Sequence, residues 1–132
     1  MTKRICYTLA LLVALSVSAI GQLIDHEDIA IDPDQTFRVE YKKIDSLTLD
    51  LVFYYPDDFE DSMDYPAMIF FHGGGWNQGS PGHFRHHARY FESRGMICIL
   101  VEYRIKQKHG TTPFEAVRDA KSAIRFVRKN AD

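Results

Sequence analysis

The amino-acid sequence predicts an α/β fold built on a mostly parallel β-sheet. Two short, unbroken apolar runs, residues 67–71 and 96–101, have the composition of strands that are buried on both faces. A helical pattern lies between them, and a longer one follows residue 112. An alternating pattern over residues 37–55 precedes these elements and indicates an antiparallel hairpin. The predicted order is therefore β-β-β-α-β-α, with a right-handed crossover between the parallel strands.

The N-terminus has the pattern of a secretory signal peptide, residues 1–21. Lys3 and Arg4 precede an uncharged apolar stretch, residues 5–20, and small residues stand near its end. That stretch is shorter than the roughly 20 residues of a membrane-spanning helix, which argues against an uncleaved anchor. Cleavage is expected after Ala19 or Gly21. The sequence thus predicts a secreted or periplasmic protein without stable membrane insertion.

The composition is that of a globular protein: 45% of the 132 residues are hydrophobic and 26% are charged. Signal cleavage would remove Cys6 and leave Cys98, which stands in an apolar run and is predicted to be a core residue rather than a nucleophile. Residues 104–129 contain eight bases and two acids. They are spread around a helix, so we interpret them as a solvated surface and expect no nucleic-acid partner.

The mature chain is predicted to begin with a loose acidic arm, residues 22–36, followed by the domain over residues 37–132. A turn at Asp45 and Ser46 joins the two strands of the hairpin, which is expected to have one wetter face. In the first strand one face is predicted to carry Phe37, Val39, Tyr41 and Lys43, and in the second Leu47, Leu49, Leu51, Phe53 and Tyr55.

The first helix is predicted over residues 83–94 and is ended by Gly95. Residues 104–112 indicate a polar loop, and Pro113 is suited to the first position of the helix that follows it. The predicted apolar stripe of the first helix is Phe84, Ala88 and Phe91, and that of the second is Phe114, Val117, Ala120, Ile124 and Val127.

The most informative element is the glycine loop, residues 72–76, with the sequence His-Gly-Gly-Gly-Trp. It follows a buried strand and precedes a helix. Three glycines let the main chain turn sharply, so that its N–H groups can converge on an anion. The spacing of glycines and lysines does not fit the phosphate-binding motifs, and no cofactor is expected. An oxyanion hole for acyl transfer is the better interpretation.

These residues resemble the N-terminal part of an α/β-hydrolase of the secreted esterase and lipase group, which includes acetylxylan and feruloyl esterases. The resemblance covers roughly residues 37–132 and rests on four ordered features: the strand into the glycine loop, the turn at 79–82, the strand ending at 101–104, and the helix over 113–131. It implies an oxyanion hole formed by the N–H groups of Gly74 and Gly75. His72, Gly73 and Trp76 would support the loop, although Trp76 is equally compatible with core packing.

The nucleophile of this fold lies on a G-x-S-x-G turn between a strand and a helix. The nearest match is Ser80, but Pro81 follows it and has no N–H to donate to an oxyanion. Ser80 is therefore interpreted as a turn residue. The resemblance implies that nucleophile, acid and base lie beyond Asp132, so the chain is expected to be a partial hydrolase that is inactive by itself.

Several other residues of the sequence favour structural roles. His83, His86 and His87 are more typical of a solvated helix face than of a metal site, and no metal is expected. Arg104 and Asp119 are predicted to pair and to tie a strand end to a helix. The expected substrate is a small-molecule or polysaccharide ester. The alternatives are an inert secreted remnant or binding protein, and a peptidase or lipase of the same fold.

Overall fold

The computed structural model describes residues 36–131 and has the α/β architecture that the sequence predicts. The proposed signal peptide and all but the last residue of the predicted N-terminal arm lie outside the described residues. The strands are β1 (Phe37–Ile44), β2 (Leu47–Tyr54), β3 (Ala67–Phe71) and β4 (Ile97–Val101). The α-helices are α1 (Arg85–Glu92), α2 (Lys106–His109) and α3 (Pro113–Lys129), and a 3₁₀ helix, Pro81–Phe84, leads into α1.

The four strands form one sheet in the order β1-β2-β4-β3. The predicted hairpin is confirmed, since β1 and β2 pair antiparallel, and so is the parallel pairing of β3 with β4. The antiparallel pairing of β2 with β4, which sets Leu51 beside Val101, was not predicted. Within residues 36–131, β3 is an edge strand with β4 as its single neighbour.

The sheet is covered on both faces because the side chains of its central strands alternate between two cores. Cys98 and Leu100 of β4 face the core that contains α1, whereas Ile99 and Val101 face the core that contains α3. Cys98 is fully buried, and burial raises the pKa of its thiol to about 11. The prediction that Cys98 is a core residue is thus confirmed. The buried members of the first core are Val52, Tyr54, Ala88, Cys98 and Leu100, and those of the second are Leu51, Ile99, Val101 and Ala123.

The hairpin differs from the prediction in two ways. A β-bulge between Glu40 and Lys42 shifts the register of β1, so Lys42 is partly buried and Lys43 is exposed. Lys43 therefore does not continue the face of Tyr41, as the alternating pattern had indicated. The expected wetter face is also wrong for the second half of β2, where the two neighbours Leu51 and Val52 are both fully buried.

The helices also depart from the predicted boundaries. The chain over residues 83–94 is not one α-helix, because it begins as the 3₁₀ helix before continuing into α1. Gly95, with φ of +79°, follows α1 and donates its N–H to Glu92, as a C-terminal glycine does. The predicted polar loop over residues 104–112 contains α2, which ends at Gly110 in the left-handed conformation.

The buried face of helix α3 overlaps the predicted stripe only in part, since Val127 packs against the second core but two other members of the stripe are exposed. Phe114 exposes 77% of its surface and Val117 exposes 44%, whereas Ala116, Asp119 and Ala123 are buried. The small side chains of this face, together with one ion-paired carboxylate, let α3 pack closely against the sheet. The size and charge of a side chain therefore do not predict which face of α3 is buried. The helix starts with Pro113 and a capping box in which the Thr112 N–H donates to the Glu115 carboxylate at 2.9 Å. No helix within the described range, α3 included, has the length and hydrophobicity needed to cross a membrane.

Candidate active site

The glycine loop lies at the carboxyl-terminal edge of the sheet. It begins directly after β3, and the segment that begins at Glu102 follows β4 at the same edge because the two strands are parallel. In open α/β sheets this edge is where ligands bind. The fold thus brings His72 together with Tyr103, which is 31 positions away in sequence.

Two loop residues have main-chain conformations that suit glycine. Gly74 has φ of +119° and Gly75 has φ of +62°. A Cβ atom on Gly74 would lie 1.9 Å from the carbonyl oxygen of Gln78, so no other residue fits there without displacing the turn. A Cβ atom on Gly73 would meet nothing within 4 Å, and its φ is not in the left-handed region. The need for glycine is therefore specific to position, and it is strongest at Gly74.

The loop is closed by hydrogen bonds to one carbonyl group. The N–H groups of Asn77 and Gln78 both donate to the carbonyl oxygen of Gly74, at 3.1 and 3.2 Å. Gly74 and Gly75 are themselves exposed, and within residues 36–131 neither N–H has an acceptor. Both groups are consequently free to donate to an anionic oxygen of a ligand.

The base of the loop is formed by His72, which is 4% exposed. Its ring stacks on that of Tyr103, with centroids 4.2 Å apart and an interplanar angle of 15°. The Tyr103 hydroxyl donates to the main-chain carbonyl of His72, and His72 Nδ1 donates to the carbonyl oxygen of Gly73 at 2.9 Å. Burial lowers the pKa of His72, so the ring is neutral at pH 7. These contacts place His72 at the base of the loop, against Tyr103.

Trp76 is 51% exposed, so the alternative that it packs in the core does not hold. It is a non-glycine residue with φ of +59°, a conformation that costs about 1 kcal/mol or more and needs external support. Its side chain borders two cavities, one of about 300 Å³ and one of about 460 Å³. The smaller cavity is also lined by Phe71, His72, Gly73, Gly75, Tyr103, Ala116, Val117 and Ala120.

A buried ion-pair network anchors this edge of the sheet to α3. The predicted pair is confirmed: Arg104 Nε and Nη2 donate to the two carboxylate oxygens of Asp119 at 2.7 and 2.9 Å. Lys42 Nζ, which the sequence reasoning missed, lies 2.6 Å from the same carboxylate. Burial alone would raise the pKa of Asp119, but the hydrogen bonds from Arg104 and Lys42 outweigh it and hold the pKa below its ordinary value. Asp119 is therefore ionised although it is fully buried.

Comparison with known proteins identifies the family. The model of the BD-FAE family matches residues 49–132, which is more than half of the chain. The chain belongs to the BD-FAE family. The match includes the whole glycine loop, the Arg104–Asp119 pair and α3, so the BD-FAE region contains nearly all of the candidate site.

Solved structures give this BD-FAE chain an α/β-hydrolase fold of esterase type. A thermophilic esterase of the planctomycete Thermogutta terrifontis, bound to propionate, is 41% identical with a TM-score of 0.72, over 74% of this chain and 36% of the esterase. The apo form of Thermogutta terrifontis esterase 2 is 38% identical with a TM-score of 0.74, over 79% of this chain and 39% of that chain. The BD-FAE chain thus spans well under half the length of these esterases.

A curated relative is similar over a shorter stretch. The neuroligin-like protein glit-1 of Caenorhabditis elegans is 32% identical over 72 residues, which is 50% of this chain and 10% of the relative. This similarity adds no functional information at the level of single residues. The esterase structures remain the more informative comparison for the BD-FAE chain.

Sequence reasoning located the glycine loop and its neighbours but missed what lies behind the loop. Ser80 is in an extended conformation before the 3₁₀ helix, and Pro81 follows it, so its setting is not that of a strand-to-helix nucleophile turn. Helix α2, which contacts the glycine loop, lies where the sequence indicates a polar loop. The signal for it was Gly110, a residue type that often follows the last turn of a helix.

Proposed function

We propose that this chain supplies the oxyanion-binding part of a serine carboxylic-ester hydrolase. The observation that carries the proposal is the pair of exposed main-chain N–H groups of Gly74 and Gly75, which have no acceptor within residues 36–131. They lie at the carboxyl end of a strand in a fold shared with esterases that are 38–41% identical. The free N–H groups suit an anionic oxygen in general, and the likeness to esterases favours acyl transfer over phosphate binding.

The chemistry follows from where negative charge develops. When a nucleophile adds to the carbonyl carbon of an ester, the π electrons move to the carbonyl oxygen and form an oxyanion. Two N–H donors that are already in place stabilise this oxyanion more than they stabilise the neutral ester. The tetrahedral intermediate then expels the alcohol and leaves an acyl-enzyme, which water hydrolyses. Gly74 and Gly75 would serve in both halves of this reaction.

We further propose that the nucleophile, acid and base are supplied by polypeptide outside residues 36–131, beyond Asp132. Ser80 is a poor nucleophile because Pro81 offers no N–H for the oxyanion. His72 is a poor general base, because its ring is buried and stacked on that of Tyr103. Without a nucleophile and its base, an oxyanion hole has no intermediate to stabilise. The isolated chain is thus expected to be inactive.

The substrate class that the site supports best is an ester with a short acyl group. The related Thermogutta terrifontis esterase has been solved with bound propionate and with bound butyrate. In this chain the cavity beside the glycine loop measures about 300 Å³, and Phe71, Trp76 and Val117 are among the apolar residues that line it. The alcohol would be a small molecule or a polysaccharide hydroxyl. With an export signal over residues 1–21, the hydrolase would act outside the cytoplasm.

A chimera tests the proposal, because it supplies the nucleophile, acid and base that ester hydrolysis needs. Residues 36–131 of this chain replace the segment that they match in Thermogutta terrifontis esterase 2, and turnover of p-nitrophenyl acetate and butyrate is measured. The account predicts turnover by the chimera and none above background by the 132-residue chain. A folded chimera without activity would contradict the assigned function. Turnover by the 132-residue chain that is lost in Ser80→Ala would overturn the assignment of the nucleophile.

A further inference from the structure

The glycine loop is held from behind by α2. The N–H of Lys106 donates to the carbonyl oxygen of Trp76, and the N–H of Gln107 donates to that of Asn77, both at 2.9 Å. These bonds fix the main chain immediately after Gly75. They also support the positive φ of Trp76, which a side-chain-bearing residue does not adopt without help.

Helix α2 is one turn long and needs support of its own, because a single turn is not stable in isolation. That support comes from His109. The main-chain N–H of Ile105 donates to the ring Nδ1 of His109 at 3.0 Å. The main-chain N–H of His109 donates in turn to the Ile105 carbonyl oxygen at 2.9 Å. The side chain of Ile105, at the N-terminal end of α2, makes no capping hydrogen bond. His109 therefore closes the turn from its C-terminal end.

The contact fixes the protonation state of His109. An N–H of Ile105 can donate only to a ring nitrogen that carries no proton, so the proton lies on Nε2 and the ring is neutral. Nε2 is buried and has no partner within residues 36–131. A second proton on the ring would turn Nδ1 from an acceptor into a donor facing the Ile105 N–H. The Ile105 contact would then be lost.

The surroundings of His109 favour the neutral ring. Burial lowers the pKa of His109, and the positive charges of Lys108 and Arg104 act in the same direction. The negative charge of Glu102 acts in the opposite direction. The charged neighbours of His109 lie both on α2 and on the segment after β4. Burial has a larger effect on the pKa of His109 than the Glu102 charge, so the neutral ring is favoured.

We propose that neutral His109 is a positioning residue for the glycine loop, and that protonation of His109 releases the loop. The connection runs through two sets of hydrogen bonds: the His109 ring accepts from the Ile105 N–H, and α2 then donates main-chain N–H groups to Trp76 and Asn77. The proposal rests on the proposed function insofar as the loop is an oxyanion hole. The mechanical link between His109 and the loop is independent of that function, so it can be tested without ester turnover.

The chain offers a built-in probe, because Trp76 is its single tryptophan. Fluorescence and acrylamide quenching of Trp76 are recorded on the 132-residue chain between pH 8 and pH 5. The wild type is expected to show a transition to a more quenched Trp76 at acidic pH. His109→Asn places an amide oxygen near the position of Nδ1 and does not titrate, so it should keep the ordered loop and lack that transition. His86→Asn, on the exposed face of α1, is the matched control and should retain it.

A second measurement separates local release from unfolding. In His109→Leu, which lacks an acceptor, hydrogen exchange at Lys106 and Gln107 should accelerate about tenfold at pH 8, as expected for the loss of one ordinary hydrogen bond. Circular dichroism checks that the fold persists. If His109→Leu does not fold, the pH titration of the asparagine variant decides the question. A transition of Trp76 that survives unchanged in His109→Asn would overturn the proposal, even if the chimera hydrolyses esters.

Discussion

The hydroxyl of Tyr103 donates a hydrogen bond to the main-chain carbonyl of His72, and the two rings stack with centroids 4.2 Å apart. This relationship joins the segment after β4 to the first residue of the glycine loop. A buried histidine in such a loop need not be a catalytic base. Here the neutral His72 ring packs against Tyr103 at the start of the loop. The site is therefore built on contacts between the ends of two parallel strands.

Tyr103→Phe should weaken the fold although it preserves the stacked rings. The variant leaves the buried carbonyl of His72 without its donor, which should lower the free energy of unfolding by about 1–3 kcal/mol. Urea denaturation measures this difference. Tyr90→Phe removes the hydroxyl of an exposed tyrosine and should change stability by less than about 0.5 kcal/mol. Equal effects of the two variants would show that the Tyr103 hydroxyl does not stabilise the loop.

Asp119→Asn should be among the most destabilising single changes in the chain. Removing the carboxylate leaves Arg104 and Lys42 without their buried partner, at a cost of about 3–5 kcal/mol in the free energy of unfolding. Lys108→Gln is the matched control, because its ion pair with Glu102 is exposed and should contribute less than about 1 kcal/mol. A loss near that of the control would contradict the anchoring role.

The Asp119 carboxylate also predicts that the free energy of unfolding decreases at acidic pH. The folded pKa of Asp119 lies below its ordinary value of 3.8, so its contribution is complete above that value and is lost as pH falls through the lower folded pKa. Urea midpoints between pH 7 and pH 3 measure this loss. In Asp119→Asn, the acid-dependent decrease should be smaller than in the wild type. An identical slope in both proteins would count against the assigned ionisation.

A second pH dependence follows from His72, whose folded pKa lies below its ordinary value of 6.5. Between the two values the unfolded chain binds more protons than the folded one, so stability should decrease as pH falls through about 6.5. Urea midpoints at pH 8 and pH 5.5 test this. His72→Asn should reduce the difference but not abolish it, since the pKa of His109 is lowered in the same direction. The control His86→Asn should leave it unchanged.

Cleavage of a signal peptide during export would give the mature protein a defined N-terminus. If residues 1–21 are a signal peptide, a bacterial host should release protein that begins at Ile20 or Gln22, corresponding to cleavage after Ala19 or Gly21. Intact-mass spectrometry of the periplasmic and medium fractions gives the answer. Replacing Leu11 and Leu12 by Asp interrupts the apolar stretch and should retain the full-length chain in the cytoplasm. A wild-type chain that retains Met1 in every fraction would rule out cleavage.

Much of the fold could be predicted because its central strands are locally distinctive. The runs at β3 and β4 are short and unbroken since both faces of the sheet are covered. The buried face of α3 could not be predicted in the same way. Asp119 is buried only because Lys42, which is 77 positions away, and Arg104 neutralise it. A local pattern contains no information about such a distant partner.

The candidate site was predictable to a similar degree. The glycine loop has a recognisable sequence, because its glycines allow conformations that other residues avoid. Its support by α2 was missed, since a four-residue helix has no periodic pattern, and its bonds to Trp76 and Asn77 depend on the tertiary fold. The part of the site that requires special backbone geometry was visible in the sequence. The part that depends on long-range hydrogen bonds was not.

The central claim is that residues 72–76 bind the oxyanion of an ester hydrolase, and the kinetics of two glycine variants in the chimera test it most directly. Gly74→Ala must displace the turn, because its Cβ would lie 1.9 Å from the Gln78 carbonyl oxygen, whereas Gly73→Ala has open space. We predict that Gly74→Ala lowers kcat for p-nitrophenyl butyrate by about 100-fold or more with little change in KM, and that Gly73→Ala retains most of the activity. A folded Gly74→Ala chimera with the kcat of the Gly73→Ala control would contradict the account.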